Sequence, residues 1–137
     1  MPDQSPVHDD PATITVGETV IRMFDAQIHQ RVDLPAETAD AIDQRWVRVR
    51  RPIVIVGGEL TLELLDLVYI PSVKYYEAPP HLKANGGVFL VDDFGRQRMR
   101  PEDLLNRWIV PLESRVDYLT LHTGKKFQVP FDVLTVF

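Results

Sequence analysis

Apolar residues recur along this chain with two different periods. Two four-residue runs, Ile53-Val54-Ile55-Val56 and Val88-Phe89-Leu90-Val91, are too short for helices and rich in β-branched or aromatic side chains. Such runs read as buried strands. The first stops at Gly57-Gly58, and the second follows Gly86-Gly87 and runs straight into Asp92-Asp93. Helical spacing appears in residues 59–68, where Leu60, Leu64, Leu65 and Leu67 follow an acidic start. It returns in residues 101–113, where Pro101, Glu102 and Asp103 open a helix with Leu104, Leu105, Trp108, Ile109 and Leu112 on one face. Pro111 is expected to bend or shorten that helix.

The weaker patterns fill in the rest. Residues 13–24 alternate around Gly17-Glu18 and predict a short hairpin, a surface ornament on the core. Residues 34–44 open with Pro35 and predict a weakly amphipathic helix, and residues 69–85, rich in proline, predict an irregular connection. Residues 116–121 and 126–129 form the arms of a second hairpin about His122-Thr123-Gly124-Lys125. Val116, Tyr118 and Thr120 are expected on one side of it and Phe127 and Val129 opposite, with the turn projecting. Residues 133–137 begin a third apolar strand. The order strand, helix, strand, helix, hairpin, strand predicts an α/β fold with mainly parallel core strands and β-hairpin insertions.

Residues 1–12 hold three prolines and three aspartates without periodicity and predict a disordered tail, leaving residues 13–137 as one domain or part of one. Across 137 residues, 45% hydrophobic, the composition does not break in two. A net charge of −5 lacks the basic excess that attracts a phosphate backbone, so direct nucleic-acid binding is not expected. The absence of cysteine excludes disulfides, thiolate metal sites and a cysteine nucleophile, and suits a reducing cytoplasm. No apolar run approaches the roughly 20 residues that span a bilayer, so no membrane segment is expected.

Candidate chemistry concentrates at Asp92-Asp93. A buried strand that delivers two carboxylates at its end places them where open α/β sheets bind ligands. The first is positioned to hold a hard cation, directly or through water, and the second to deprotonate an attacking water. The competing reading is a solvated turn. A carboxylate-only metal site would need further acids such as Glu59 or Glu77 to converge there.

The run Ala84-Asn85-Gly86-Gly87-Val88-Phe89-Leu90-Val91-Asp92-Asp93 resembles the Walker B region of AAA+ ATPases. The likeness is strongest to the clades of bacterial enhancer-binding activators and of chelatase and MoxR-like proteins, where an Ala-x-Gly-Gly turn leads into that strand. Leu104-Leu105-Asn106-Arg107-Trp108-Ile109-Val110-Pro111-Leu112-Glu113 resembles the helix that follows, residues 116–129 the pre-sensor-1 hairpin, and residues 133–137 the strand before sensor 1. The resemblance covers residues 77–137. It implies a partial P-loop NTPase core, a three-layer sandwich with Walker B strand 88–93. Asp92 is then the cofactor-binding acid for Mg²⁺ and ATP, Asp93 the catalytic acid, and the complete protein a homo-oligomeric ring.

The chain departs from the family pattern in three ways. Asp93 stands where glutamate is usual, one methylene shorter. Gly124-Lys125 has Leu119 where the first glycine of a phosphate loop belongs and Lys126 where the hydroxyl belongs, so Walker A is absent. The sequence stops at Phe137, where sensor 1 would follow. The expectation is therefore a fragment that is inactive alone and holds no cofactor tightly. The alternative is a non-catalytic binding or assembly module with an ATPase-like sheet.

The remaining polar residues carry less. Arg96, Arg98 and Arg100 are expected to pair with Asp92, Asp93 or Glu102 rather than serve as trans-acting fingers. His8, His29, His81 and His122 show no ligand spacing and are expected at the surface. Trp46 and Trp108 are expected in the core.

Overall fold

The computed structural model describes residues 4–6, 13–41, 43 and 46–137. Its strands are β1 (Gln4–Pro6), β2 (Thr13–Val16), β3 (Thr19–Arg22), β4 (Trp46–Arg48), β5 (Ile53–Val56), β6 (Val68–Ile70), β7 (Tyr75–Glu77), β8 (Val88–Val91), β9 (Val116–Thr120), β10 (Lys126–Pro130) and β11 (Leu134–Val136). The helices are α1 (Ala36–Ala39), α2 (Pro80–Lys83) and α3 (Pro101–Ser114), with one 3-10 turn at Glu63–Leu65. The protein is a mixed α/β fold with few helices and a parallel sheet.

That parallel sheet runs β11-β8-β5. Val88 of β8 pairs with Ile53 on one side and Leu134 on the other. Its facing side chains alternate as the pleat requires. Val54, Val56, Phe89 and Val91 point to one face, where they meet Leu104 and Trp108 of α3, together with Leu60, Leu65, Ala84, Phe131 and Val133. Apolar spacing in residues 101–113 thus yields the expected helix, and α3 runs one residue further. Pro111 lies inside it without ending it.

The start of the sheet is held together by the Ala84-Asn85-Gly86-Gly87 turn. The Asn85 side chain donates to the Pro130 carbonyl at 2.8 Å and accepts from the Asp132 amide at 2.9 Å. Gly86 has φ +83 and its N–H donates to the Asp132 carbonyl. A Cβ on Gly87 would sit within the van der Waals radius of the Pro52 carbonyl. Only glycine lets β5 and β8 begin this close together.

A second sheet has the order β2-β3-β7-β6, with β3 and β7 parallel and the outer pairs antiparallel. Ile21, Met23, Tyr76, Ala78 and Leu82 form its core with Leu119 and Val129 of the β9–β10 hairpin. The turn at Gly17 forms as expected, with φ +61. The hairpin it joins is no ornament, because β3 lies inside the sheet and Ile21 is fully buried.

Several other expectations are corrected. Residues 59–68 make no amphipathic helix, only the 3-10 turn followed by β6. Gly57-Gly58 ahead of the segment and Asp66, which turns back to hold the Leu67 amide, leave room for a single turn. Residues 69–85 are not irregular but hold β6, β7 and α2, pinned by a β-turn whose Lys74 takes φ 56. Of residues 34–44 only one turn, α1, is helical; 42 and 44 fall outside the described residues. β5 is an edge strand, buried on one face only. On α3, Leu104 and Trp108 are buried while Leu105, Ile109 and Leu112 are exposed. The inward face of β9 is Asp117 and Leu119, with Tyr118 outside, since α3 and the second sheet both pack on that side. Within the expected tail, β1 pairs antiparallel with β4, and residues 1–3 and 7–12 fall outside the described residues.

Among the described residues one helical layer covers the parallel sheet. The other face presents Ile53, Ile55, Val88, Leu90, Leu134 and Val136, with Ile53 65%, Ile55 63% and Leu134 64% exposed. No described helix is long and apolar enough to cross a membrane.

Candidate functional site

Asp92 and Asp93 emerge at the carboxyl end of β8, the central strand of the parallel sheet. Pairing continues one residue beyond the strand, since the Asp92 amide donates to the Val56 carbonyl at 2.7 Å. The chain then turns sharply. Asp93 adopts φ 50, in the left-handed region that aspartate tolerates better than most residues, and Gly95 follows at φ +99. The Asp93 amide donates to the Asp92 Oδ1 at 3.0 Å, which fixes the first carboxylate against the strand end. Both side chains are exposed, and among the described residues no ion pair engages either carboxylate.

The turn is braced by Gln97, a residue the sequence did not single out. Its Nε2 donates to the Asp92 carbonyl at 2.9 Å, the Asp93 carbonyl at 3.2 Å and, at 3.4 Å, the Gly57 carbonyl at the end of β5. Its Oε1 accepts from the Gly95 amide. One side-chain amide thereby joins the carboxyl ends of two parallel strands. A glutamine between arginines gives no signal of this in sequence; it follows only from the backbone path. Phe94 packs edge-on against Phe137, just past β11, with centroids 5.1 Å apart, so all three strands contribute to the same rim.

Glu59 lies at this rim too, on the loop after β5. Its Oε1 accepts from the Gly57 amide at 3.0 Å, a bond that holds its carboxyl below the ordinary glutamate value. Glu77 lies elsewhere, on β7, paired with Lys83 and Arg22. Among the described residues no three His, Asp or Glu side chains converge as a metal-binding group. Asp92 and Asp93 suit a hard cation chemically, as free oxygen donors, but supply only part of the shell such an ion takes. The arginines do not pair as expected: Arg100 bridges to Asp103 within α3, and among the described residues Arg96 and Arg98 form no ion pair.

Two polar clusters away from the rim are structural. Asp117 receives Arg107 Nη1 at 2.7 Å and Nη2 at 2.9 Å, with His81 Nε2 at 2.7 Å. Burial pushes the Asp117 carboxyl up, but the His81 and Arg107 hydrogen bonds outweigh it and hold the group at about 2. Lys83 is buried against Asp25 and Glu77, and its carbonyl accepts from His29 Nε2 at 2.8 Å, since His29 Nδ1 accepts from the Asp25 amide. His29 and His81 are therefore core residues, not surface ones, and His8 falls outside the described residues. Trp108 is core as expected, and the Trp46 side chain is not among those described. The His122 turn is exposed as expected, although the His122 ring folds back on Tyr69 with centroids 4.2 Å apart.

The chain matches no family model and no curated protein in comparisons with known proteins.

Proposed function

We propose that these residues are the Walker B half of an AAA+-type ATPase core. One observation carries the reading: Asp92-Asp93 leaves the carboxyl end of a central parallel strand, at the rim where α/β sheets bind ligands. The order β11-β8-β5 supports it, with the acid-bearing strand flanked by β5, the strand of the same sheet that comes before it, and by the strand that follows the β9–β10 hairpin. In this reading Asp92 holds Mg²⁺, directly or through water, and its Oδ1 bond to the Asp93 amide keeps it facing out of the strand end. Asp92 would be the residue that holds Mg²⁺, and the chemistry the ion would supply there is neutralisation of negative charge in phosphoryl transfer. Asp93, exposed and without an ion-pair partner among the described residues, accepts the proton of an attacking water. Gln97 fixes both acids by holding their carbonyls, and is a positioning residue.

No phosphate loop lies in the 137 residues, so the chain alone lacks the backbone amides and lysine that grip the β- and γ-phosphates. The expected outcome is no ATP turnover above background by the chain, and Mg²⁺ binding weaker than micromolar by calorimetry. In an ATPase that carries these residues together with a phosphate loop, Asp93→Asn should cut hydrolysis by about 10²-fold or more while sparing ATP binding. Turnover by the chain alone that Asp92→Asn abolishes would sink the reading. A second reading, an assembly module without nucleotide chemistry, is favoured by the uncovered aliphatic face of the parallel sheet. In that case Asp93→Asn in such an ATPase leaves its hydrolysis unchanged, because the acids take no part in it.

A further inference from the structure

A groove of about 480 Å³ opens where the 3-10 turn, β6, β7 and the end of β9 meet. It shares no residue with the Asp92-Asp93 rim. Two carboxylates line it, Glu63 and Asp66, and no lysine or arginine does. Asp66 turns Oδ1 inward to the amides of Leu67 at 2.8 Å and Thr120 at 3.0 Å, which locks its orientation; among the described residues neither carboxylate has a cationic partner. The wall beside them is aromatic. Tyr69 and His122 stack nearly parallel at 16°, and Tyr76 leans on Tyr69 with centroids 4.9 Å apart. The Tyr76 hydroxyl bonds His122 Nδ1 and accepts from the His122 amide at 3.1 Å, so the three rings form one fixed cluster, with Tyr76 tilted to the other two.

We propose that this groove binds the guanidinium of an arginine side chain presented by a partner protein. The two carboxylates supply negative charge that no lysine or arginine of the lining neutralises, which repels phosphates and carboxylates and selects a cation. The preformed aromatic wall favours a flat, weakly hydrated cation over a compact, strongly hydrated ammonium. Leu62, Leu67 and Leu121 accommodate the aliphatic arm behind the charged head. His122 belongs to the tip of the β9–β10 hairpin, so an occupant here touches the hairpin and the second sheet together.

The test is a titration of the whole chain with the tripeptide acetyl-Gly-Arg-Gly-amide, followed by calorimetry and by NMR shifts of Tyr69 and His122. Its citrulline counterpart matches the shape without the charge. The arginine peptide should bind with shifts at both rings, and the citrulline peptide about tenfold more weakly or worse, the worth of one charge-assisted hydrogen bond. The double variant Glu63→Gln, Asp66→Asn keeps an oxygen for the Leu67 and Thr120 amides and should lose affinity by a similar factor. The single variant Glu63→Gln, at an exposed position, gives the same direction should the double variant fail to fold. Equal binding of the two peptides, unchanged affinity in Glu63→Gln, or no shift at Tyr69 and His122 overturns the proposal. Agmatine provides the free-amine arm: binding tighter than the tripeptide overturns the protein-partner assignment.

Discussion

At the scale of single residues, glycines show how unequal similar positions are. Gly124 sits at φ +89 in open space, so Gly124→Ala costs only the left-handed backbone, about 1 kcal/mol. Gly87 has no room at all beside Pro52, and an alanine there must push β5 and β8 apart. Gly87→Ala is expected to destabilise the fold by about 3 kcal/mol. Urea denaturation of the two variants side by side checks this, and equal losses would contradict the packing at Pro52. Gly87 belongs to the same turn whose Asn85 and Gly86 bond the segment before β11. The Ala-x-Gly-Gly motif is therefore explained by backbone crowding, independently of any ligand.

At the scale of elements, Asp117 ties three together: its carboxylate on β9 meets Arg107 on α3 and His81 on α2. Its carboxyl is held at about 2 against an ordinary 3.8, so the tie is fully present above pH 3.8 and is lost as pH falls through about 2. The shift corresponds to about 2 kcal/mol. Between pH 5 and pH 2 the wild type should therefore lose more stability than Asp117→Asn, measured by urea midpoints at each pH; parallel losses would refute the linkage. Elements with strong periodicity were legible in sequence. β5, β8 and α3 stand where the apolar pattern put them, because two or more buried apolar residues per element set the period, while the β9–β10 hairpin stands about its expected turn with a different inward face on β9. Residues 59–68 misled because Leu60 and Leu65 are buried from an irregular loop, which imitates helical spacing without helical hydrogen bonds. Of the candidate site, the two aspartates were visible as a motif, whereas Gln97 and the Tyr69–Tyr76–His122 cluster arise from chain crossings that no local pattern encodes.

At the scale of the whole molecule, the two larger sheets among the described residues each gather a core: the parallel β11-β8-β5 sheet with α3, and the β2-β3-β7-β6 sheet with the β9–β10 hairpin. Parallel sheets are ordinarily covered on both faces, and this one shows Ile53, Ile55 and Leu134 largely exposed on its second. The face is expected to bind the dye ANS and to drive self-association at high concentration. Changing Ile53 and Ile55 to threonine keeps β-branching, so it should reduce both signals while changing the unfolding free energy from urea denaturation by less than about 0.5 kcal/mol. A large loss of stability would show that the face is packed after all. The pairing of β8 with Pro52 and β5 has a consequence in time as well as in space. Residues 57–87, including the whole β6–β7 hairpin and α2, separate β5 from β8, so their union closes a long loop, whereas the hairpins close short ones. Loop-closure entropy makes such a union slow. The local ribbons are expected to form early, and the acid-bearing rim, which needs β5, β8 and Gln97 in register, to be among the last parts of the molecule to exist during folding.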